Sequence, residues 1–177
     1  LGVGLGGQLL ASWSPEKLEQ LTSGASIKGA GKRTDALLRT NGIIRSMVFA
    51  EIKHHRTGLL AGTDYRSASW GPSTELSGAV VQVQQTVRMA VRDLGEYLED
   101  QAADGSRMGS GTFITQPRAY LIVGSLDQLE GSGGGPINDK VHSFELFRRN
   151  LTHPEVITFD ELLARAQWHV ELAEAQG

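Results

Sequence analysis

Apolar positions recur with different periods along the chain, and the periods divide it into elements. Between Ile43 and Lys53 the apolar residues crowd together without alternation through Met47-Val48-Phe49-Ala50. A run that is apolar on both faces predicts a central, buried strand. Thr34–Thr40 reads as its partner strand, and Asn41-Gly42 between them is a strong turn pair. Further on, Leu76, Val80, Val83, Val87, Val91, Leu94 and Leu98 follow one another at three- and four-residue steps. That spacing predicts one long helix, opened by Pro72-Ser73-Thr74. Ala119–Val123 reads as a short apolar strand ending at Gly124, Val141–Leu151 as a helix, and Val156-Ile157-Thr158 as a short strand. Asp160–Ala175 reads as a last helix with Asp160 as its cap. Near the start, residues 1–12 are Gly-rich and unsettled, and Ser14-Pro15-Glu16-Lys17 opens a short helix. Residues 54–72 show no period and read as a long functional loop. Gly and Pro break the pattern over 103–117, and Gly131–Pro136 reads as a flexible linker. The order hairpin, helix, strand, helix, strand, helix predicts an α/β fold with a mixed sheet.

Composition narrows the classes. The length of 177 residues suits a single domain with its own core. A hydrophobic content of 40% with 21% charged residues excludes a disordered chain. No apolar run is long enough to span a bilayer, so no membrane partner is expected. There is no cysteine, which removes disulfides, thiolate nucleophiles and cysteine metal sites. The chain starts at Leu1 without a signal pattern, and reads as a fragment of a longer cytoplasmic protein. The formal net charge is −3, but it is unevenly spread. Lys28 to Arg66 carries eight basic residues against Asp35, Glu51 and Asp64. Asp93 to Asp104 carries five acids and no base. Such asymmetry lets one stretch hold a polyanion, although solvated surface charge explains it equally well.

Several tempting motifs fail. Gly2-Val3-Gly4-Leu5-Gly6-Gly7 matches a dinucleotide string, but no strand precedes it. Gly29-Ala30-Gly31-Lys32-Arg33-Thr34 lacks the first glycine and the final hydroxyl of a phosphate loop, having Ser26 and Arg33 there. His54 and His55 are adjacent, so on a strand they point to opposite faces and share no metal. No G-x-S-x-G elbow marks a serine hydrolase.

What holds is Asp35 with Glu51-Ile52-Lys53. Two residues apart on a strand, Glu51 and Lys53 leave the same face of an apolar segment. Burying either charge alone is costly. A buried ion pair is the plain explanation. The functional one adds Asp35 from the partner strand, so that two carboxylates offer hard oxygen ligands to Mg²⁺. Lysine beside them orients or activates water, or offsets charge on a phosphate. Hairpin register tests this. A two-residue Asn41-Gly42 turn sets Asp35 opposite Val48, facing away. A three-residue turn restores the face but leaves a gap of about 13 Å. Setting Asp35 opposite Glu51 requires a turn centred on Ile43, such as a loop over 41–45, or a bulge.

The D…E-x-K arrangement on a hairpin followed by a helix resembles the PD-(D/E)XK restriction-endonuclease-like superfamily. Several blocks narrow the likeness: Gly31-Lys32-Arg33-Thr34-Asp35-Ala36-Leu37-Leu38-Arg39-Thr40, Phe49-Ala50-Glu51-Ile52-Lys53, Tyr65-Arg66 and Glu75-Leu76-Ser77-Gly78-Ala79-Val80-Val81-Gln82-Val83. With Ala119–Gly124, Phe144–Arg149 and Val156–Leu163, they are similar to the nuclease domain of Shedu anti-phage defence proteins, over about residues 9–170. The resemblance implies a restriction-endonuclease-like core, a mixed central sheet flanked by helices. It implies a Mg²⁺-dependent DNA endonuclease, with Mn²⁺ able to substitute, in bacterial anti-phage defence. Asp35, Glu51 and the backbone carbonyl of Ile52 would be metal ligands. Lys53 would assist the attacking water, and Gln82 would complete the site from the helix. Self-association and control by an N-terminal region are implied as well. Thr34 stands where the superfamily name has proline, and Thr86 where related nucleases often carry tyrosine. Arg56 and Arg66 bracket the loop after the strand and are candidate phosphate contacts. His54 and His55 are candidates to meet DNA or the metal's water. For each of these four a solvated surface side chain is the alternative. A second class of function is a DNA- or partner-binding module of the same fold that does not cleave.

Overall fold

The central strand needs its apolar residues covered on two faces, and the computed structural model shows how that is met. It describes residues 10–12, 36–40 and 42–175. The expected helix after Ser14, the rest of the Gly-rich start, Thr34 and Asp35 lie outside the described residues. The strands are β1 (Leu10–Ser12), β2 (Ala36–Thr40), β3 (Ser46–Ile52), β4 (Tyr97–Gln101), β5 (Arg107–Ile122) and β6 (Glu155–Ile157). The helices are α1 (Thr74–Leu94), α2 (Asn138–Arg149) and α3 (Phe159–Ala175), with a short 3-10 turn over Leu126–Leu129. The strands form one sheet in the order β1-β2-β3-β5-β4, with β6 pairing β5 off that path. The fold is α/β with a mixed sheet. The described residues group into two compact units, Leu1–Glu51 with Val83–Ala119, and Ile52–Gln82 with Tyr120–Gly177.

In the first unit β2 and β3 run antiparallel, with Ala36 opposite Ala50 and Arg39 opposite Met47. Met47, Val48, Phe49 and Ala50 are all buried, as their unbroken apolar run predicts. β2 stops at Thr40 and β3 starts at Ser46, not at Ile43. The connection is therefore the wide turn over 41–45, not a two-residue Asn-Gly turn. The Ser46 N–H closes it by donating to Thr40 Oγ1 at 2.9 Å.

The apolar stripe of α1 does not extend to Leu98. Gly95 takes a φ of 73° and ends the helix, its N–H donating to the Val91 carbonyl at 3.2 Å. Leu98 lies in β4 instead, and β4 pairs antiparallel with β5. Residues 103–117 are likewise not a simple interruption, because β5 occupies them from Arg107 onward and runs for 16 residues. Thr112 and Ile114 turn inward from it and Phe113 outward, the alternation of a half-covered strand. Gly111 permits the close pairing: a Cβ there would lie 2.4 Å from the Leu98 carbonyl oxygen. Gln116, at φ 46°, and Pro117 mark an irregularity within the strand.

In the second unit the end of β5 pairs in parallel with β6, Leu121 lying opposite Val156. The Lys53 N–H donates to the Ile122 carbonyl at 2.8 Å, and the Val123 N–H to the Ile157 carbonyl at 3.0 Å. Gly124 follows at φ 64°, where a Cβ would lie 2.5 Å from Leu59 Cδ2. Only glycine suits both the backbone and the contact. α3 is capped by Thr158, not by Asp160. The Glu161 carboxylate accepts the Thr158 N–H and hydroxyl, each at 3.0 Å, so the glutamate half of a capping box is in place. Asp160 accepts the Leu126 N–H at 3.0 Å. Gly131–Pro136 is a closed turn, pinned by Gly131 N–H to the Gly135 carbonyl and Ile137 N–H to the Leu129 carbonyl, both at 2.8 Å.

Candidate functional site

Burial inverts at the end of β3. Glu51 is only 4% exposed, whereas Ile52 beside it is 47% exposed. A carboxylate turned inward next to an isoleucine turned outward reverses the ordinary preference. The reversal follows from strand alternation, since Met47, Phe49 and Glu51 share one side of β3. Lys53 comes just after the strand on that same alternation and is half-buried.

In the second unit the Lys53 ammonium has a defined partner. Its Nζ donates to Gln82 Oε1 at 3.0 Å. Gln82 projects from α1, one turn after Gly78 and Ala79 and one turn before the buried Thr86. Ser73 sets where that helix begins: its hydroxyl accepts the Leu76 N–H at 2.9 Å and donates to the Gly58 carbonyl at 2.6 Å. A neutral amide holding an ammonium fixes its position without cancelling its charge. The structure thus brings Lys53 and Gln82 together, two of the residues singled out from sequence. Glu51 lies at the end of β3, buried, and Asp35 lies outside the described residues.

The segment after Lys53 is organised rather than loose. The Thr57 N–H donates to the His54 carbonyl at 3.0 Å, and the Arg56 N–H to His54 Nδ1 at 3.0 Å. His54 and His55 do not point apart as strand neighbours, because β3 has already ended; their ring centroids are 4.2 Å apart. The side chain of Gln128 clamps the next turn, accepting the Leu59 N–H and donating to the Thr57 carbonyl, both at 3.0 Å. Nothing in the sequence marks Gln128 for this positioning role. The stretch then doubles back, with Leu60 bridged to Pro72 and Arg66 to Ser69. Arg66 lies at the far end of that excursion, its guanidinium 5.8 Å from the Tyr65 ring centre. Arg56 instead lines an open cleft of about 610 Å³ with His54 and the first residues of α1. Arg66 and His55 do not line it.

A carboxylate such as that of Glu51 is a hard oxygen ligand of the kind that suits Mg²⁺. Among the described residues no three His, Asp or Glu side chains converge. A second carboxylate would have to come from elsewhere in the chain.

Residues 9–163 match the family model for the C-terminal part of the Shedu protein SduA. The chain belongs to that family. The Shedu protein SduA of Bacillus cereus (strain B4264) is 31% identical over 157 residues, which is 88% of this chain. The same stretch is 39% of that relative, so the chain spans well under half its length. The match to the SduA family takes in Glu51, Lys53 and Gln82, all of α2, and the start of α3. Among the described residues no helix is long and apolar enough to cross a membrane.

Proposed function

We propose that this chain is the catalytic part of a metal-dependent DNA endonuclease with a restriction-endonuclease-like core, acting in bacterial defence against phage. The observation that carries the reading is the inverted burial at the end of β3. Glu51 is withdrawn from water where Ile52 is not, and Lys53 follows with its ammonium held 3.0 Å from Gln82 Oε1. Membership of the SduA family supports it. So does the wide turn between β2 and β3, which pairs Ala36 with Ala50 and so meets the loop length that the paired-carboxylate reading requires.

In this reading Asp35, Glu51 and the Ile52 carbonyl hold Mg²⁺, or Mn²⁺ in its place. Bound there, the ion supplies Lewis-acid stabilisation of charge on the phosphate. Lys53 orients the attacking water and offsets negative charge as it develops on the phosphoryl oxygens. Gln82 fixes the ammonium in place, so little of its binding energy goes into reorganisation. Hydrolysis of the phosphodiester bond leaves a 5′-phosphate. Arg56 and Arg66 serve as phosphate contacts, with His55 beside them. Self-association and control by a further, N-terminal region of the whole protein belong to the same proposal.

Incubating the chain with supercoiled plasmid and Mg²⁺ or Mn²⁺ tests this, beside an EDTA control. Nicking that needs the cation is expected, and Lys53→Ala should lower its rate by about 1,000-fold. Equal nicking by both proteins would remove Lys53 from the mechanism. No nicking with DNA binding retained would overturn the nuclease reading in favour of a binding module.

A further inference from the structure

The cleft that begins one residue after Lys53 has a composition that a nuclease site does not by itself require. It measures about 610 Å³, within the usual size of small-ligand clefts, about 300–1,000 Å³. His54, Arg56, Leu60, Ala61, Pro72 and Glu75 contribute to its wall. We propose that this cleft is a subsite for one unpaired nucleotide of a DNA strand. The proposal rests on the nuclease reading and specifies the substrate: DNA with a nucleotide free of the duplex stack.

The charges select this occupant. Arg56 suits a phosphate, but a bare anion would also meet the Glu75 carboxylate. A nucleotide satisfies both, since its phosphate meets the guanidinium and an exocyclic amino group donates to the carboxylate. Leu60, Ala61 and Pro72 offer apolar surface to the base. The His54 ring, already against His55 at 4.2 Å, offers a face for stacking. His54 Nδ1 accepts the Arg56 N–H at 3.0 Å, which leaves the ring proton of the neutral imidazole on Nε2. The Ser73 hydroxyl in the wall is already committed to Gly58 and Leu76 and so is not a ligand group.

The wall is preformed. Gln128 pins Thr57 and Leu59, and the Leu60–Pro72 bridge closes the base of the excursion. Gly62 leaves the cleft open, for a Cβ there meets nothing within 4 Å. A base paired inside a duplex cannot enter so small a space, whereas a flipped or unpaired one can.

The 177-residue chain is titrated by fluorescence anisotropy with Ca²⁺ replacing Mg²⁺, so that binding is read without cleavage. The probes are a fully paired duplex and the same duplex carrying one unpaired cytosine or one unpaired thymine. Unpaired cytosine should bind about tenfold more tightly than the paired duplex. Thymine lacks the amino donor and should bind about threefold more weakly than cytosine. Gly62→Trp fills the cleft and should erase the preference while leaving paired-duplex affinity within about twofold. Glu75→Ala, on an exposed helix position, should level cytosine with thymine. Equal binding of all three probes by the unaltered chain, or a preference that survives Gly62→Trp, would overturn the proposal. So would a site that takes free deoxycytidine monophosphate while ignoring the unpaired base in DNA. Failure to bind any DNA would instead overturn the nuclease reading, whereas plasmid nicking without a preference would sink the cleft alone.

Discussion

Glu161 and Glu51 are both drawn away from water, and their surroundings differ in kind. Glu161 belongs to a closed cluster. Arg148 donates to both of its oxygens at 2.7 Å, and the Thr158 N–H and hydroxyl donate at 3.0 Å each. Arg148 also pairs with Glu145 and lies 4.8 Å from the centre of the Phe144 ring. Every charge there has an opposite, and the product is mechanical, tying α2 to the start of α3. Glu51 stands at a strand end where the next residue, an isoleucine, faces water. The ammonium of Lys53, two residues on, is held by a neutral amide. The first arrangement explains itself by the elements it joins. The second sets a buried carboxylate at the end of a strand, before a lysine that an amide holds in place, an arrangement that suits a cation and a phosphate.

That contrast can be broken by mutation. The largest effect is expected at the β3 end: Glu51→Gln should slow plasmid nicking by about 1,000-fold or more while changing stability by less than about 1 kcal/mol. Arg148→Ala should do the opposite. It strands Glu161 and should cost about 3 kcal/mol in urea denaturation, with nicking per folded molecule unchanged.

The same cluster should show itself in acid. Burial pushes the Glu161 carboxyl up, but the hydrogen bonds from Arg148 and Thr158 outweigh it and hold the group down at about 2, from 4.5. A carboxyl lowered by folding stabilises the native state above its unfolded value and loses that contribution as pH falls. The loss is therefore expected between pH 4.5 and about 2, and Glu161→Gln should flatten that part of the curve. A stability profile that is flat there in the unaltered chain would disprove the closed-cluster description. The smallest effect in the series is at Gln82. Gln82→Ala frees the ammonium without removing it and should slow nicking by about tenfold.

Much of this was legible in the residues, and the exceptions have physical causes. The unbroken run Met47–Ala50 announced a buried strand, and burial of all four confirms it. The α1 stripe was legible too, but Leu94 and Leu98 keep a four-residue step, so periodicity alone carried the helix past its end. The stop comes from Gly95 in the left-handed region, a backbone property that a hydrophobic pattern does not encode. β4 and most of β5 were hidden because their alternation is diluted by Gly109, Gly111 and Pro117 and only one face is covered. Asn41-Gly42 advertised a tight turn that the chain does not make. The wide loop to Ser46 is the register that the paired-carboxylate reading demands. Thr158 was overlooked as a cap, although Thr158-Phe159-Asp160-Glu161 spells the capping box in sequence. At the site, Lys53 was found through strand alternation and Gln82 through a family pattern, and geometry then joined them at 3.0 Å. Gln128 acts through backbone contacts sixty-nine residues away in sequence, and no local pattern reports that.

The central claim is that Asp35 and Glu51 share one divalent cation. Mn²⁺ binding followed by electron paramagnetic resonance, on the unaltered chain, Asp35→Asn and Glu51→Gln, tests it without relying on catalysis. The account predicts that the unaltered chain takes up Mn²⁺ and that each single substitution weakens binding by at least about tenfold. Mn²⁺ uptake unchanged in both variants would contradict it.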